Sequence, residues 1–393
     1  MTKVRIVGGG LAGVLAALEA HRLGARRIEL HERYDQLGGR LAPRIVGGLE
    51  LRDACVTFGG REDPVRRLLE WHGAAFDDFD NTCGSVNPCS RGEPVAARGF
   101  AGPVLEARDP AYGRLTGEAL TDRLRAYPAE LNAPLTRYCQ WRLGVWLDEV
   151  HASAALPLGL DQIRVTGAHG GETSPAVALP HGGFGALFAS ARRALESLGV
   201  TVRFASLVSP REILDVDEPD TVTVWTPSPV SLFPALGKAP PKRIGKAVAS
   251  YVFRARHAGP VPFMLQNFTA RGSVFRLSLY PSRGETLLLA ECVAEVSDAD
   301  LRREIHELMA GFDSEGLKLG DTLAVSVRTR WDCPSVDFVR KLSGLRSALA
   351  QAKGPAFVTG AWEAGDPTER FCKVSRGLHA ALAEEIPPAR AAA

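Results

Sequence analysis

Val4-Arg-Ile-Val-Gly-Gly-Gly-Leu-Ala-Gly13, near the start of the chain, is the stretch that decides the fold. Its first four residues are mostly apolar and β-branched, which predicts a short buried strand. Gly8, Gly10 and Gly13 have the spacing G-x-G-x-x-G, and apolar residues at helical spacing continue after them. A second strand pattern at 27–32 ends in a carboxylate. This order predicts a βαβ unit that binds a dinucleotide.

The three glycines of this unit each have a physical reason. Gly8 allows the tight turn after the strand. Gly10 has no Cβ, so a pyrophosphate can approach the backbone, and Gly13 lets the helix pack closely on the strand. A G-x-G-x-x-G alone is a weak signal, but here it stands between a strand and a helix, which is the context that the motif requires.

The residues around the glycines complete the predicted nucleotide site. The helix starts at Leu11 and Ala12, where free N–H groups and the positive end of the helix dipole attract phosphate. Glu32 ends the second strand and can accept hydrogen bonds from a ribose diol, with Arg33 beside it. We therefore predict that these four residues contact the cofactor.

The residues after Glu32 resemble a known flavoprotein signature. Gly38-Gly39-Arg40 and then Arg44 follow it in the chain. This run is similar to the E-x5-G-G-R-x-x-x-R motif of the flavin-containing amine oxidase superfamily, which includes amine oxidases, protoporphyrinogen oxidase, phytoene desaturases and, more distantly, UDP-galactopyranose mutase. The resemblance implies FAD, bound non-covalently, with Gly38, Gly39 and Arg40 against its pyrophosphate and flavin side.

Weaker resemblances follow in the family's order along the chain. Residues 179–187 are similar to the family's P-x-G-G-x-x-x-L segment, and a valine at the position of Val208 contributes to the adenine pocket in relatives. Residues 372–381 are similar to the terminal G-A-V-x-S-G-x-x-A-A motif, whose helix start points at the flavin. The resemblance implies that Val208, Gly360 and Val374 contact FAD.

The patterns together predict an α/β fold combined with an α+β part. A discontinuous, Rossmann-like FAD-binding domain is predicted at 1–75, 176–242 and 339–393. A substrate-binding domain of antiparallel sheet and helices is predicted at 76–175 and 243–338, because several strand patterns with a period of two occur in its second segment.

The predicted antiparallel sheet carries the candidate catalytic residues. If Arg276 faces the flavin, strand alternation predicts that Phe275 and Leu277 cover the opposite face. Trp331 lies in a segment similar to the family's R-W-x-x-x-P, and Tyr280 lies on the same strand as Arg276. We predict Trp331, Arg276 and Tyr280 as catalytic, although each also fits an ordinary core or solvent-facing strand residue.

Two segments carry no sharp motif. Residues 76–110 are rich in Gly, Pro, Asn and Ser, which predicts an irregular excursion between the domains. Residues 114–150 have helical patterns whose aromatics Tyr138, Trp141 and Trp146 fit either a core stripe or a substrate wall.

Composition limits the classes of function. The 393 residues favour two domains, and 45% apolar and 23% charged residues are typical of a soluble globular protein. The net charge of +2 gives no indication of a nucleic-acid partner, and the chain has no apolar run long enough for a membrane span. Seven scattered cysteines without a C-x-x-C predict a cytoplasmic protein with no metal site.

The resemblance implies an enzyme whose partner is a small-molecule substrate. The leading hypothesis is an FAD-dependent oxidoreductase, an oxidase or dehydrogenase, that removes a hydride from a C–N or C–C bond of a small metabolite. The alternative is a redox-neutral flavoenzyme of the mutase or isomerase type that uses reduced FAD. A non-catalytic flavin-binding subunit is a third class, and a homodimer is left open.

Overall fold

A computed structural model describes the protein over most of its length. Side chains are outside the description at residues 87, 95–98, 105–106, 129–131, 165–166, 328–332, 355 and 384–385, where the backbone alone is described. The described residues are 2–52, 56–79, 83–87, 95–98, 105–106, 118–125, 127, 129–155, 158, 160, 165–166, 177–216, 218, 220–242, 244–312, 316–362 and 367–385.

A five-stranded parallel sheet organises the first half of the molecule. Its central strand β1 (Lys3–Val7) pairs with β2 (Arg27–His31) on one side and β12 (Thr221–Trp225) on the other. The edges are β11 (Thr201–Arg203) beside β2 and β18 (Phe357–Thr359) beside β12. Val4 and Ile6 of β1 pack into one apolar cluster and Val7 packs into another, whereas Lys3 and Arg5 form ion pairs.

Two apolar clusters bury the faces of this parallel sheet. One packs α1 (Leu11–Arg22) and α10 (Pro367–Glu385) against residues such as Val4 and Val222. The other packs α9 (Val336–Lys353) against Val7, Trp225 and Phe357. The predicted Rossmann-like α/β part is confirmed. The helices α2 (Pro64–Trp71), α5 (Gly183–Ser197), α6 (Pro210–Leu214) and α7 (Leu232–Ala235) complete this half.

A seven-stranded, mainly antiparallel sheet organises the second half, which confirms the α+β part of the prediction. Neighbouring strands in this sheet are antiparallel, with irregularities in the β13–β17 and β15–β16 pairs, except that β14 and β6 run parallel. In spatial order the strands are β17 (Lys318–Cys333), β13 (Ile244–Arg256), β16 (Glu285–Cys292), β15 (Val274–Ser282), β14 (Phe263–Asn267), β6 (Cys83–Asn87) and β7 (Val95–Arg98).

Strands β6 and β7 correct one expectation. The prediction of an irregular excursion over 76–110 is wrong at these strands, since β6 pairs with β14 and β7 pairs with β6. Neither sequence has a clear apolar alternation: β7 is the edge strand, and β6 is held in the sheet by backbone pairing with β14, which is distant in sequence. Local composition therefore underestimates the strand content here.

The two faces of the antiparallel sheet have different cover. Helix α8 (Asp298–Met309) packs on one face, which we call the α8 face, against residues such as Tyr251, Leu277 and Leu288. The opposite face packs on a hairpin of β3 (Arg44–Val46) and β4 (Leu49–Leu51), and we call it the hairpin face. The hairpin follows Gly38-Gly39-Arg40 in the chain, so this face packs on the segment that comes directly after the second glycine motif.

Helices α3 (Leu120–Arg125) and α4 (Ala129–Leu143) form a separate apolar cluster around Tyr138. The core interpretation holds for Tyr138, which is fully buried, and is wrong for Trp146, which is 72% exposed.

Two short sheets pair β5 (Phe76–Phe79) with β10 (Val177–Pro180) and β8 (Leu105–Glu106) with β9 (Val165–Thr166). Within the described ranges, no helix is long and apolar enough to cross a membrane. The domain boundaries stay a prediction.

Candidate functional site

The glycine turn between β1 and α1 is built from backbone atoms. Gly8 has φ +96°, a conformation that residues with a Cβ rarely adopt. A Cβ on Gly13 would lie 1.8 Å from the carbonyl oxygen of Gly8, so the helix packs directly on the turn. A Cβ on Gly10 would meet nothing closer than 3.8 Å, so that part of the backbone is open to a ligand.

The second glycine loop lies directly against the first. The N–H of Gly38 donates to the carbonyl oxygen of Gly9 over 2.9 Å, and Gly38 forms a parallel bridge with Gly10. Gly38 has φ +122°, and a Cβ on Gly39 would lie 3.1 Å from the Cα of Gly10. Arg40 is exposed in the single 3₁₀ turn that follows. The structure thus brings the two predicted motifs into one cradle.

Glu32 closes one side of this cradle. Its carboxylate is buried, with Oε2 accepting from the N–H of Gly9 over 2.6 Å and Oε1 accepting from Tyr34 over 2.9 Å. Arg33 is exposed and its guanidinium lies over the Tyr34 ring. Each carboxylate oxygen has a second lone pair, so Glu32 can also accept from a ribose hydroxyl. That contact stays a prediction.

The pKa of the His31 imidazole, beside Glu32, is lowered, which favours the neutral form of the ring. Burial is the main cause that lowers the pKa of its imidazole, although the neighbouring Glu29 carboxylate opposes that shift. Its Nδ1 lies 2.9 Å from the hydroxyl of Ser206. The backbone of Ser206 donates to the carbonyl of Glu32, which brings the segment with Val208 next to the acid. Val208 is partly buried there.

The start of α1 is suited to an anion. Its N-cap is Gly10, no side chain caps the first turn, and the first turn holds no acidic residue. Leu11 and Ala12 occupy the first two helical positions. Uncapped N–H groups at the positive end of a helix dipole attract phosphate, and the bridge to Gly38 adds backbone from the second loop.

Gly360 reaches the same edge of the parallel sheet from β18. A Cβ on it would lie 2.9 Å from both the carbonyl oxygen of Trp225 and Nε1 of Trp362, so no larger residue fits. Ala361 follows with φ +49°. These residues place a second tight backbone turn at the carboxyl end of the sheet, on the other side of β12 from the first turn.

Helix α10 begins earlier than the sequence indicated. The terminal motif predicts a helix start near Cys372, but the helix begins at Pro367, a residue type that favours the first helical turn. Val374 is therefore inside the helix, and its side chain is buried in the cluster with Val358 and Leu378. This packing explains a valine there without a cofactor contact, and the role of Val374 in binding FAD stays untested.

The β3–β4 hairpin joins the two halves of the molecule. The carboxylate of Glu50 accepts from the N–H groups of Phe184 and Gly185 at the start of α5, over 2.7 and 2.9 Å. The N–H of Arg52 donates to the hydroxyl of Tyr280 over 3.1 Å, and the Arg52 guanidinium lies over the Tyr280 ring. Tyr280 is thus held against the segment that follows the second glycine loop.

Arg276 lies on the hairpin face, but one of its two neighbours in the strand does not point to the opposite face. A β-bulge between Val274 and Arg276 leaves Phe275 unpaired. Leu277 faces α8, as predicted, whereas Phe275 packs with Val248 and Val293 away from that helix. The prediction for Phe275 is wrong because a bulge puts two consecutive residues on one side of a strand.

Arg276 belongs to a row of polar side chains across the hairpin face. Its Nε donates to Oε2 of Glu291 over 2.5 Å, and Glu291 is buried. Direct cross-strand pairing joins one residue from each of six adjacent strands. We call this the polar row, and it consists of Ser326, Ser250, Glu291, Arg276, Gln266 and Ser85.

Tyr138 anchors the polar row at Gln266. The hydroxyl of Tyr138 accepts from Gln266 Nε2 and from Arg142, both over 2.6 Å, and donates to the carbonyl oxygen of Leu158. Burial raises the pKa of Tyr138, so the hydroxyl keeps its proton. The arrangement fixes the amide of Gln266 toward α4.

Trp331 is only partly described. Its backbone lies in β17, paired with Lys246, and its side chain is outside the described residues, so its proposed role stays a prediction. No cluster of potential metal ligands occurs in the part of the chain that the structure describes.

Sequence reasoning missed Glu50, Glu291 and Ser250 as site residues. One signal was available: Glu50 is the lone carboxylate in an otherwise apolar strand, and Glu291 follows the apolar run Leu287–Ala290. A charged residue in such a position is rarely buried unless it is paired. For Ser250 no sequence signal exists.

Comparison with known proteins supports the fold. Residues 6–70 match the family model of the NAD(P)-binding Rossmann-like domain. No curated protein sequence matches the chain. Among solved structures, reduced UDP-galactopyranose mutase is similar, with a TM-score of 0.69 and 13% identity over 97% of this chain and 96% of that one.

Two further solved structures have the same arrangement. A putative protoporphyrinogen oxidase from Exiguobacterium sp. 255-15 has a TM-score of 0.61 and 14% identity over 96% of this chain and 98% of that one. Putrescine oxidase bound to putrescine has a TM-score of 0.55 and 15% identity over 97% and 98%. The resemblance in fold that the sequence predicts is confirmed, and identities this low establish the fold alone.

Proposed function

We propose that the protein binds FAD and is an FAD-dependent oxidoreductase that acts on a small molecule. One observation carries the proposal: the two glycine loops meet in a backbone bridge between Gly10 and Gly38, beside the buried carboxylate of Glu32. The bridge lies at the carboxyl end of β1, from which neighbouring strands continue in both directions. Dinucleotides bind at this kind of switch point in parallel sheets.

The residues present fit such a cofactor. The open backbone at Gly10 and the uncapped N–H groups at Leu11 and Ala12 would hold a pyrophosphate, with Gly39 and Arg40 on its other side. Glu32 would bind a ribose, Val208 would lie toward the adenine, and Gly360 would border the flavin side. FAD would supply the redox chemistry by accepting a hydride from a C–N or C–C bond.

The substrate would bind between the glycine loops and the hairpin face. Pockets favour the join of two domains, and the β3–β4 hairpin makes that join here. Arg276 would bind and orient the substrate, and Trp331 would border it. Tyr280 would hold Arg52 and the hairpin in place. The known structures that share the fold include putrescine oxidase and a putative protoporphyrinogen oxidase as well as UDP-galactopyranose mutase, so the fold is compatible with oxidation and with the redox-neutral alternative, and the anaerobic experiment below separates them.

The test is the visible spectrum of the purified protein. The two absorption bands of oxidised flavin are expected, and acid precipitation should release the yellow colour into the supernatant as FAD. A colourless protein that does not take up added FAD contradicts the proposal. Colour that stays in the pellet contradicts only the non-covalent binding.

Anaerobic mixing with candidate metabolites then separates the reaction types. Bleaching of the flavin bands by a metabolite, with recovery of the colour in air, supports an oxidase. Turnover that needs pre-reduced flavin and consumes no electron acceptor supports the mutase or isomerase type instead. A cytoplasmic location and a homodimer stay predictions.

A further inference from the structure

Two buried serine hydroxyls on the hairpin face have no hydrogen-bond partner among the described residues. Ser250 is 1% exposed and Ser278 is 4% exposed, and the Oγ of each is unpaired. Ser282 provides the contrast on the same face, since its hydroxyl donates to the carbonyl oxygen of Glu50 and accepts from the Glu50 N–H. Buried hydroxyls are normally paired, and an unpaired one reduces stability.

The two hydroxyls flank the ion pair of the polar row. Ser250 lies directly opposite Glu291 on the neighbouring strand. Ser278 follows Arg276 by two residues on β15, so the two side chains share a face. Arg276 and Glu291 bind each other over 2.5 Å, so their charges cancel locally. A ligand at this place meets neutral hydroxyls around a neutralised pair.

This place lies between two covered ends of the hairpin face. At one end, α4 reaches the sheet, where the Arg142 guanidinium lies 4.2 Å from the centre of the Phe275 ring. At the other end, the β3–β4 hairpin packs on Tyr280 and Leu289. The hairpin contacts the start of α5 through Glu50, and Phe188 of α5 lies against Gly38, so the hairpin and α5 connect this face to the second glycine loop.

We propose that Ser250 and Ser278, with the Arg276–Glu291 pair between them, recognise a neutral hydroxyl-bearing group of the substrate, such as a polyol or a sugar ring. The inference rests on the proposed function, because it names the substrate class of that same site. A substrate hydroxyl both donates and accepts, as each serine requires. An ammonium or a carboxylate would instead compete with Arg276 or Glu291 for its existing partner, and the ion pair disfavours both.

The first test measures the thermal stability of serine variants without added ligand. Ser250→Ala and Ser278→Ala each remove an unpaired hydroxyl, so we expect an unchanged or higher Tm. Ser282→Ala is the matched control on the same face, and it removes two hydrogen bonds, so we expect a lower Tm. A fall in Tm for the first two variants that equals the fall for Ser282→Ala overturns the inference, because the hydroxyls would then have partners.

The second test measures binding of defined probes by the shift in Tm and by perturbation of the flavin spectrum. D-glucose and xylitol are the neutral probes, putrescine is the cation and succinate is the anion. We expect the neutral probes to bind, Ser250→Ala and Ser278→Ala to weaken them about five- to tenfold, and Ser282→Ala to leave their affinity unchanged. The inference is overturned if the neutral probes do not bind, or if they bind the Ser250→Ala and Ser278→Ala variants as tightly as the wild type.

The outcomes separate this inference from the proposed function. If the protein contains FAD that dithionite reduces, but its Tm and flavin spectrum change only with putrescine or succinate, the proposed function stands and the inference is overturned. A protein without FAD loses the proposed function, and the Tm comparison of the three serine variants still decides whether the two hydroxyls are unpaired.

Discussion

The glycine loops and the hairpin face are built by opposite means. The loops are shaped by backbone atoms, since a Cβ on Gly13 or Gly39 would lie 1.8 or 3.1 Å from another backbone atom. The hairpin face is shaped by side chains that six strands bring into one row. A backbone site needs glycine at fixed positions and leaves a motif in the sequence. A side-chain site depends on strand register and leaves none.

The largest expected effect comes from closing the backbone site. Gly13→Ala should lower the free energy of unfolding by about 3 kcal/mol or more and abolish FAD binding, because α1 must move off the Gly8 carbonyl. Gly344→Ala is the matched control. Gly344 lies inside α9, and a Cβ added there would meet no other atom within 4 Å, so alanine should raise the free energy of unfolding by about 0.5–1 kcal/mol. Denaturant unfolding with flavin absorbance measures both. A Gly13→Ala protein that folds and binds FAD normally contradicts the close packing.

The second prediction concerns Glu32, whose carboxylate accepts from the Gly9 N–H in the first loop. Glu32→Ala should weaken FAD binding by about 1.5–3 kcal/mol, or more than tenfold, because hydrogen bonds to a charged acceptor are lost. Glu29→Ala is the control, since Glu29 lies on the same strand and forms an ion pair with Lys3. Its loss should affect stability and leave FAD affinity unchanged. Titration of each apoprotein variant with FAD measures the two affinities. Equal FAD affinities of Glu32→Ala and Glu29→Ala would contradict the predicted contact between Glu32 and the ribose.

The third prediction tests the side-chain site at its ion pair. Arg276→Lys keeps the charge but loses the fixed guanidinium geometry toward Glu291, so reduction of the flavin by substrate should slow about tenfold while FAD stays bound. Arg254→Lys is the control, because Arg254 binds Glu285 at an exposed position of the same sheet. Stopped-flow reduction under anaerobic conditions measures the rates. Equal rates of flavin reduction in Arg276→Lys and Arg254→Lys would contradict a role of Arg276 in binding the substrate.

The sequence predicts the backbone site of the glycine loops better than the side-chain site of the hairpin face. Gly8, Gly38 and Glu32 were found because turns with positive φ and a buried acceptor at a strand end restrict the residue types. The side of Phe275 could not be found, since the bulge before Arg276 depends on how β15 pairs with β16.

Features that depend on pairing between distant segments of the chain could not be predicted from local sequence. Strand β6 pairs with β14, which lies far along the chain, so its own sequence carries little strand pattern. The start of α10 was misplaced because the terminal motif resembles a helix start, whereas Pro367 begins the helix one turn earlier. The parallel fold is thus locally encoded, and the substrate face is encoded by contacts between strands.

The smallest expected effect decides the role of Tyr280, which the sequence predicts as catalytic. The structure gives its hydroxyl a packing role, because it accepts from the Arg52 N–H over 3.1 Å while the Arg52 guanidinium lies between the Tyr280 and Phe184 rings. Tyr280→Phe keeps the ring under Arg52 and removes the hydrogen bond that the Arg52 N–H donates to the hydroxyl.

We therefore expect Tyr280→Phe to lower the free energy of unfolding by about 1 kcal/mol, with FAD bound and about half or more of the reduction rate retained. Tyr280→Ala also loses the ring contact and should be less stable still. Unfolding and anaerobic reduction of both variants distinguish the two roles. If the phenylalanine variant is fully stable and its reduction is slower by about two orders of magnitude, the hydroxyl takes part in the reaction through general acid–base chemistry, and the side-chain site extends to the hairpin.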